Sequence, residues 1–434
     1  MGDKVLIPDA GGRGVALART LAKSSDVKQV FLAPGPGGGI RHDKISCIPI
    51  PLTHTKDLAR FAKENGVALI VPGSEIPLAF GLYEQCRLYG LRIFASGPKV
   101  TALESSKIAG KQFCRIHDIP TGPWAWFKNH KDARCYIYGA EYPLVIKTDG
   151  LAEGKGVEIC QDIQEAEAAL EERMVRLIHQ ESGKRVVIEQ YLGPTKNELS
   201  AHALCWGEGA EMMAMSKDQK IYKGMTGGVF AFAPVPWVTA SEFSAIEHHI
   251  MRRTVHSLCQ ENKPLIGFLY PGLMSTSQGP KVLEINICRG GDPECQAIFE
   301  ILADDYDLYH ALQSCVDHKR PEPLRWKKKY AACLVMLSGG YPDPEKMRVG
   351  FPISGIEEAE REIGVVVLPA GVEENNEVLF TAKGRVLNIL ATADDLLGAI
   401  RITYEAADII SYEDKDYDPR ISEVVKDKMR QIRA

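Results

Sequence analysis

The chain has 434 residues, too many for one hydrophobic core, so two to four domains are expected. A hydrophobic content of 45% and a charged content of 25% are ordinary for a globular enzyme. The formal net charge of −5 argues against nucleic acid or a membrane surface as a partner, because either would favour a basic excess.

The N-terminus begins with a strand-like run at residues 4–7 and carries no secretory signal pattern. No apolar run approaches the ~20 residues of a membrane span. The 11 cysteines are scattered, and none form a C-x-x-C pair. We therefore expect reduced thiols, no zinc site and a cytoplasmic location.

Residues 1–100 alternate short apolar runs with helical patterns. Strands are predicted at 5–7, 29–32, 68–71 and 92–94, and glycine-rich turns follow the first two. This alternation predicts a parallel sheet with ligands at the carboxyl ends of its strands. The turn at Gly11-Gly12 does not complete G-x-G-x-x-G, which favours a phosphate at the next helix over NAD. An NAD-type oxidoreductase stays an alternative that NADH binding would test.

The rest of the chain divides into three further parts. A helical connector at 101–125 is stopped by Pro120 and Pro123, and a small α+β unit follows at 126–188, with a long amphipathic helix from 163 to about 180. A second mixed unit runs to about 320 and ends in a Pro- and Lys-rich linker at 319–329. The last hundred residues carry predicted strands at 332–337, 364–368 and 386–390, and a helix at 396–409.

The run from Lys147 to Val157 is the most informative motif. It places one lysine at the end of an apolar run and a second, Lys155, in a loop with three glycines that include Gly154. Two cations around a glycine-rich flap suit a polyphosphate. Val157 stands where a P-loop needs a hydroxyl, so a P-loop is excluded. A glycine-rich hairpin with surface lysines is the simpler alternative.

Four other positions add to this motif. Lys107 lies at a predicted helix start, and Glu189 and Tyr191 end a strand whose backbone is suited to meet an adenine. Glu198 offers a carboxylate for ribose hydroxyls. Glu284 and Asn286 are two residues apart on a strand, so their oxygens face one point and suit magnesium. Taken singly, each of these residues is better explained as a solvated surface group, and only their joint order favours a site.

In this order, the features match the layout of an ATP-grasp ligase, and the chain resembles the phosphoribosylamine–glycine ligase family. The sharpest matching stretches are 146–157, 267–274 and 291–296. The resemblance implies an α/β fold with four parts: a Rossmann-like N-terminal domain (1–100), an ATP-grasp domain (101–125 and 189–325), a small α+β lid (126–188) and a mixed C-terminal domain (326–434).

The resemblance also implies an activity, namely joining glycine to 5-phosphoribosylamine through an acyl phosphate in purine synthesis, with ATP and Mg2+, or Mn2+, as cofactors. Small molecules would be the partners, and the chain would be a monomer or homodimer. Arg289, Lys155 and Asp292 would act on the reacting groups, and Glu284 and Asn286 would bind metal. The implied ATP-binding residues are Lys107, Lys147, Gly154, Lys155, Glu189, Tyr191, Glu198 and Lys220. The implied substrate-binding residues are Gly11, Gly12, Gly37, Glu75, Thr226, Gly227 and Gly228.

The departures from the family lie on the acceptor side. The family turn Gly-Gly-Arg-Glu-His becomes Gly-Gly-Arg-Gly-Val at 11–15, and the acidic part of the loop after 218–221 is missing. One extra residue within 284–292 is expected to displace Arg289 from the metal ligands. Two alternatives therefore stay open: a ligase for a different acid and amine, and a non-catalytic nucleotide-binding relative.

Overall fold

A computed structural model describes residues 2–150, 156–177, 184–222 and 225–433. Side chains are described throughout these ranges except at 220–222, 225–227 and 432–433. The α/β fold class predicted from the sequence is confirmed.

The N-terminal region is built on a four-stranded parallel sheet with the strand order β3-β2-β1-β4. Val5, Leu6 and Ile7 are fully buried, as expected for a parallel strand covered on both faces. The predicted strand at 92–94 makes only a single parallel bridge, between Ile93 and Ile70. The elements are β1 (Asp3–Asp9), α1 (Gly12–Ala22), β2 (Val27–Pro34), β3 (Ile45–Cys47), α2 (Thr55–Glu64), β4 (Leu69–Ile70), α3 (Ile76–Ala79) and α4 (Leu82–Tyr89).

Two helices connect this region to the next, α5 (Pro98–Ser105) and α6 (Lys107–Ile116). Ser106 caps α6, because its hydroxyl accepts a hydrogen bond from the Ala109 amide. The cap makes Lys107 the first residue of α6, as the sequence predicts.

A small antiparallel sheet with the order β5-β8-β6-β7 follows, with its own apolar core around Ile137, Ile146 and Leu170. The long helix predicted for 163–180 is shorter, because α8 passes into a π-helical turn at Glu171–Val175. Residues 178–183 lie outside the described residues. The elements are β5 (Trp124–Phe127), α7 (His130–Tyr138), β6 (Leu144–Thr148), β7 (Val157–Cys160), α8 (Ile163–Leu170) and β8 (Val186–Gln190).

The central sheet has the order β11-β10-β14-β15, and β9 also pairs with β14. A 3-10 turn (Thr195–Asn197) precedes β9, and a π-helical turn (Glu247–Arg252) joins α9 to α10. The elements of this part of the chain are β9 (Glu198–Ser200), β10 (Ala203–Gly207), β11 (Ala210–Met212), β12 (Lys217–Tyr222), β13 (Met225–Ala233), α9 (Ala240–Ile246), α10 (Arg253–Gln260), β14 (Leu265–Thr276), β15 (Gly279–Ile287), α11 (Glu294–Glu300) and α12 (Leu308–Val316).

The last sheet has the order β12-β13-β16-β20-β17, so it combines strands from both sides of the predicted boundary at 325/326. The helix predicted at 396–409 is confirmed. The elements are β16 (Tyr330–Leu337), α13 (Ile356–Ile363), β17 (Val366–Pro369), β18 (Val372–Asn375), β19 (Val378–Thr381), β20 (Arg385–Ala393), α14 (Leu396–Ile409) and α15 (Ile421–Arg433). The four domain boundaries stay a prediction.

Each of the eleven cysteines is free, and most are buried. Within the described residues, none of the helices is both long and apolar enough to cross a membrane.

Candidate active site

An apolar cavity of 360 Å³ opens between the small sheet and the central sheet. Val145 and Ile159 contribute one wall and Met274 and Leu283 the other, so a flat aromatic ring would be enclosed by aliphatic side chains. The edge of the cavity is polar, because Lys147, Glu189, Tyr191, Glu198 and Glu284 also line it. Five residues selected from the sequence therefore meet at one cavity.

Glu189 joins two lysines at the inner end of this cavity. Its Oε1 lies 2.8 Å from Lys147 Nζ and its Oε2 lies 2.7 Å from Lys111 Nζ. Burial by itself raises the pKa of Glu189, but the charges of Lys147 and Lys111 outweigh it and hold the pKa below the usual value. From the sequence, Glu189 is predicted to contact the nucleotide, with no lysine partner expected. In the structure, its side chain holds Lys147 in place.

Lys111 was missed in the sequence, although it lies four residues after Lys107 on the same face of α6. It is 3% exposed and also donates to Thr121 Oγ1 at 2.8 Å and to the Val282 carbonyl at 3.2 Å. These contacts tie α6 to β8 and β15. The i, i+4 spacing from Lys107 was the available signal.

A second cavity of 180 Å³ adjoins the first, because Leu283 and Glu284 line both. Six of its fourteen lining residues are charged, among them Lys107, Glu284 and Arg289, and Asn286 also lines it. Lys107 Nζ donates to the Gly150 carbonyl at 3.0 Å, and burial lowers its pKa while Glu284 opposes that shift. The second cavity carries three cations, Lys107, Lys111 and Arg289, and three carboxylates. An apolar cavity that opens into a polar one with such cations suits a nucleotide whose phosphates are bound together with a divalent metal.

Glu284 and Asn286 lie two residues apart on β15, and both line the charged cavity. Strand geometry directs both side chains to the same face of the sheet. A carboxylate and an amide carbonyl are oxygen donors of the kind that Mg2+ or Mn2+ accepts, so this pair fits a divalent metal.

Arg289 lines the same cavity despite the extra residue in this segment. Within this segment, Cys288 has a left-handed backbone conformation with φ of 65°. Its Sγ accepts a hydrogen bond from the Ser96 amide. The chain turns at Cys288, so Arg289 faces the cavity alongside Asn286. The displacement expected from the sequence does not separate Arg289 from the predicted metal ligands.

Two carboxylates hold the Arg289 guanidinium. Its NH2 atom lies 2.7 Å from Glu104 Oε1, and its Nε lies 3.1 Å from Glu75 Oε2. The other Glu104 oxygen accepts the Ile287 amide at 2.9 Å. Burial raises the pKa of Glu104, and Arg289 opposes that shift. Glu75, which we predicted to bind substrate, contacts Arg289 and lines the same cavity, so its role in substrate binding stays a prediction, while Glu104 was missed in the sequence.

Asp292 lies just beyond Arg289 and is also held by an arginine. Its Oδ1 accepts the Gln296 amide at 2.6 Å, and its Oδ2 lies 3.4 Å from Arg385 NH1. Burial favours a raised pKa for Asp292, but Arg385 and Arg13 together lower it below the usual value. Asp292 therefore stays charged in the neutral pH range.

The glycines predicted to receive a sugar phosphate pack closely against other parts of the chain. The Gly11 amide donates to Asp9 Oδ1 at 2.7 Å. A Cβ on Gly12 would come within 2.0 Å of the Asn388 side chain, and one on Gly37, which has φ of 97°, within 2.0 Å of the Val372 carbonyl. Close interdomain packing thus accounts for Gly12 and Gly37 without a ligand.

Of the remaining predicted residues, only Gly228 has described contacts. A Cβ on Gly228 would meet Pro293 Cδ at 2.4 Å, so this glycine lies against the loop that carries Asp292. Gly154 and Lys155 lie outside the described residues. Lys220 belongs to β12 and Thr226 and Gly227 to β13, but their side chains are not among those described.

Comparison with known proteins agrees with this geometry. Three family profiles match consecutive parts of the chain: phosphoribosylglycinamide synthetase N domain at 3–104, ATP-grasp (A) domain at 105–295 and C domain at 331–420. A phosphoribosylamine–glycine ligase of Clostridium acetobutylicum is 35% identical over 94% of this chain and 97% of its own length. The trifunctional purine biosynthetic protein adenosine-3 of Gallus gallus is 36% identical over 96% of this chain, which spans 42% of that longer protein.

Solved structures show the same fold. The phosphoribosylamine–glycine ligase of Thermotoga maritima superposes with a TM-score of 0.78 at 29% identity, covering 95% of this chain and 98% of its own. A biotin carboxylase domain of Hydrogenobacter thermophilus superposes with a TM-score of 0.73 at 15% identity, covering 98% and 96%.

The fold and the paired cavities define an ATP-grasp protein, a class that uses ATP and a divalent metal. The chain belongs to the phosphoribosylglycinamide synthetase family, which confirms the family resemblance noted in the sequence.

Proposed function

We propose that this protein is an ATP-dependent ligase that joins glycine to 5-phosphoribosylamine, giving glycinamide ribonucleotide, ADP and phosphate in purine synthesis. Relatives named phosphoribosylamine–glycine ligase, at 35–37% identity, support the reaction and its substrates. The observation that carries the proposal is the junction of an apolar cavity with a charged one at Leu283 and Glu284. An adenine and a phosphate chain need those two environments side by side.

In the first step, the glycine carboxylate attacks the γ-phosphorus of ATP. A new oxygen–phosphorus bond forms, the bond to the β-phosphate bridging oxygen breaks, and ADP leaves. Both reactants are anions, so Lys107, Lys147 and Arg289 would offset their repulsion. Arg289 suits the reacting carboxylate because a planar guanidinium binds it through two hydrogen bonds.

In the second step, the amine of the acceptor attacks the acyl carbon, the bond from that carbon to the phosphate oxygen breaks, and the leaving phosphate takes up the proton that the amine loses. Glu284 and Asn286 would hold Mg2+ or Mn2+, which neutralises phosphate charge when bound. The glycine-rich segment around Gly154 and Lys155 would exclude water, which otherwise hydrolyses an acyl phosphate.

A second candidate is a ligase that uses a different acceptor amine. The observation that favours it is the Gly11 amide, which donates to Asp9 Oδ1 and so is not directed at a substrate phosphate. Asp9 also places a carboxylate at the turn predicted for that phosphate, where like charges would repel.

One assay separates these candidates. ADP release from the full chain with ATP and Mg2+ is measured with glycine, and then with other amino acids, each with and without phosphoribosylamine generated in the reaction. Release that needs both glycine and phosphoribosylamine is the expected result. Release that needs another acid and amine would establish the second candidate, and no release with any pair would overturn both.

A further inference from the structure

The loop at residues 289–292, which carries Arg289 and Asp292, is held by groups from three regions of the chain. Glu104 binds the Arg289 side chain, and His202 Nε2 accepts the Gly291 amide at 3.0 Å. Arg385 donates to the Asp292 carbonyl at 3.3 Å. The N-terminal region contributes Arg13, whose NH1 donates to the Gly290 carbonyl at 3.0 Å.

Arg13 is itself fixed at a second point. Its Nε lies 3.3 Å from Asp9 Oδ2, and the other Asp9 oxygen accepts the Gly11 amide at 2.7 Å. Arg13 is 9% exposed and Asp9 is 3% exposed. The guanidinium therefore spans a fixed carboxylate on β1 and a backbone carbonyl 277 residues away in the sequence.

The Gly290 carbonyl belongs to the peptide group between Gly290 and Gly291. This group directly follows the peptide group that joins Arg289 to Gly290. A donor on that carbonyl restricts the rotation of the backbone next to Arg289, and so the direction in which its side chain leaves the chain. A buried ion pair contributes little to stability after its desolvation, which makes stability a weak reason for Asp9 and Arg13 at this place. In contrast, a small error in the position of a reacting group lowers the reaction rate by a large factor.

We propose that Arg13 is a positioning residue for Arg289, and that Asp9 orients Arg13. The turn at residues 9–14 thus sets the catalytic geometry of the ATP-grasp site from the N-terminal region. Two donors on one planar group are needed to reach Asp9 and Gly290 together. A lysine at position 13 lacks the fixed planar arrangement of two donor nitrogens, so we expect it to hold the two acceptors in a less defined geometry. The turnover part of this proposal rests on the proposed function.

The test compares Arg13→Ala and Arg13→Lys in the full chain with Arg253→Ala, a control that loses similar contacts at a more exposed position. Arg253 has the same kind of contacts, since its Nε donates to the His117 carbonyl at 2.6 Å and its NH2 lies 3.0 Å from Asp118 Oδ2. Steady-state kinetics and hydrogen exchange of the peptide covering 286–296 are measured for each variant. Asp9→Asn keeps an acceptor for the Gly11 amide and removes the charge that orients Arg13.

We expect both Arg13 variants to lower kcat by roughly 10- to 100-fold while the KM for ATP stays close to that of the wild type. Exchange in the 286–296 peptide should rise by about tenfold, because a hydrogen bond from a charged group is lost, and Asp9→Asn should shift both values in the same direction by less. Arg253→Ala should change neither.

An unchanged kcat in Arg13→Ala, or equal losses in Arg13→Ala and Arg253→Ala, would overturn the proposal. If the wild type has no activity with any acid and amine, the proposed function fails, but the exchange measurement still decides whether Arg13 holds the loop. Unchanged exchange in Arg13→Lys and Arg13→Ala would then overturn the positioning role. Arg13→Lys keeps the positive charge, so it covers the case in which Arg13→Ala does not fold.

Discussion

Lys147 Nζ lies 2.8 Å from Glu189 Oε1, across two neighbouring antiparallel strands of the small sheet. Lys147 is opposite Val187, and Glu189 is two residues further on, so the pair is a diagonal contact on one face. The opposite Glu189 oxygen binds Lys111. A single carboxylate thereby links the strand that carries Lys147 to the helix that carries Lys107.

The first prediction concerns Lys147. Lys147→Ala should abolish measurable ADP release, because it removes a cation at the junction of the two cavities and leaves Glu189 with Lys111 alone. Lys131→Ala, on the exposed face of α7 in the same part of the chain, is the control and should be fully active. Full activity in Lys147→Ala would contradict the assignment of this site to ATP.

The second prediction concerns stability against pH. The pKa of Glu189 is depressed in the folded protein, with Lys147 and Lys111 outweighing burial. As the pH falls to about 4.3, the ordinary pKa of glutamate, Glu189 therefore binds a proton in the unfolded protein while it is still charged in the folded protein. The stability contributed by the Glu189 charge is present above that value and is lost as the pH falls through the folded pKa.

Glu189→Gln leaves two buried lysines without their carboxylate, so its free energy of unfolding should fall by about 3–5 kcal/mol at neutral pH. Melting temperatures of wild type and variant are compared from pH 7 downwards. The difference should be constant down to about pH 5 and narrow below it. A difference that narrows already between pH 7 and 6 would assign the effect to another group.

The third prediction concerns the metal pair. Glu284→Gln removes the negative charge from one of two oxygen donors, so half-maximal activity should need at least about tenfold more Mg2+. The activity is titrated with Mg2+ and, separately, with Mn2+. Glu64→Gln on the exposed end of α2 should leave both titrations unchanged. Equal metal requirements in wild type and Glu284→Gln would exclude Glu284 as a metal ligand.

The fourth prediction concerns Glu104. Glu104→Gln keeps an oxygen for the Ile287 amide but removes the charge that faces Arg289. We expect kcat to fall by roughly 10- to 100-fold with little change in the KM for ATP, because Arg289 loses its closest anchor. To separate the effect on kcat from the effect on the KM for ATP, steady-state rates are measured with ATP varied and then with the acid varied. A rise in the KM for ATP with normal kcat would instead place Glu104 in ATP binding.

Several of the residues that line the two cavities could be predicted from local sequence patterns. Glu284 and Asn286 share a face because a strand has a period of two, and Lys107 starts a helix because Ser106 caps it. Lys111 had the same kind of local signal, i+4 on α6, and was overlooked. Glu104 had none, because its partner Arg289 is 185 residues away.

The structure offers a second reason for two of the predicted glycines, and their role in substrate binding stays a prediction. A glycine-rich turn after a strand suggested a phosphate, but Gly12 faces Asn388 and Gly37 faces the Val372 carbonyl. Glycine permits a close approach of any group, whether it belongs to a ligand or to the chain itself. Composition alone does not distinguish these two cases.

The sequence by itself determined the α/β class and the family, and it predicted Lys107, Lys147 and the Glu-x-Asn pair as site residues, because each of these patterns depends on neighbours within a few residues along the chain. The tertiary structure decided which charges meet: Lys111 with Glu189, Glu104 with Arg289, and Arg13 with the Gly290 carbonyl. It also placed β12 and β13 in the sheet of β16 and β20. Such contacts join segments that are far apart in the sequence, and local periodicity carries no information about which distant segments will pack together.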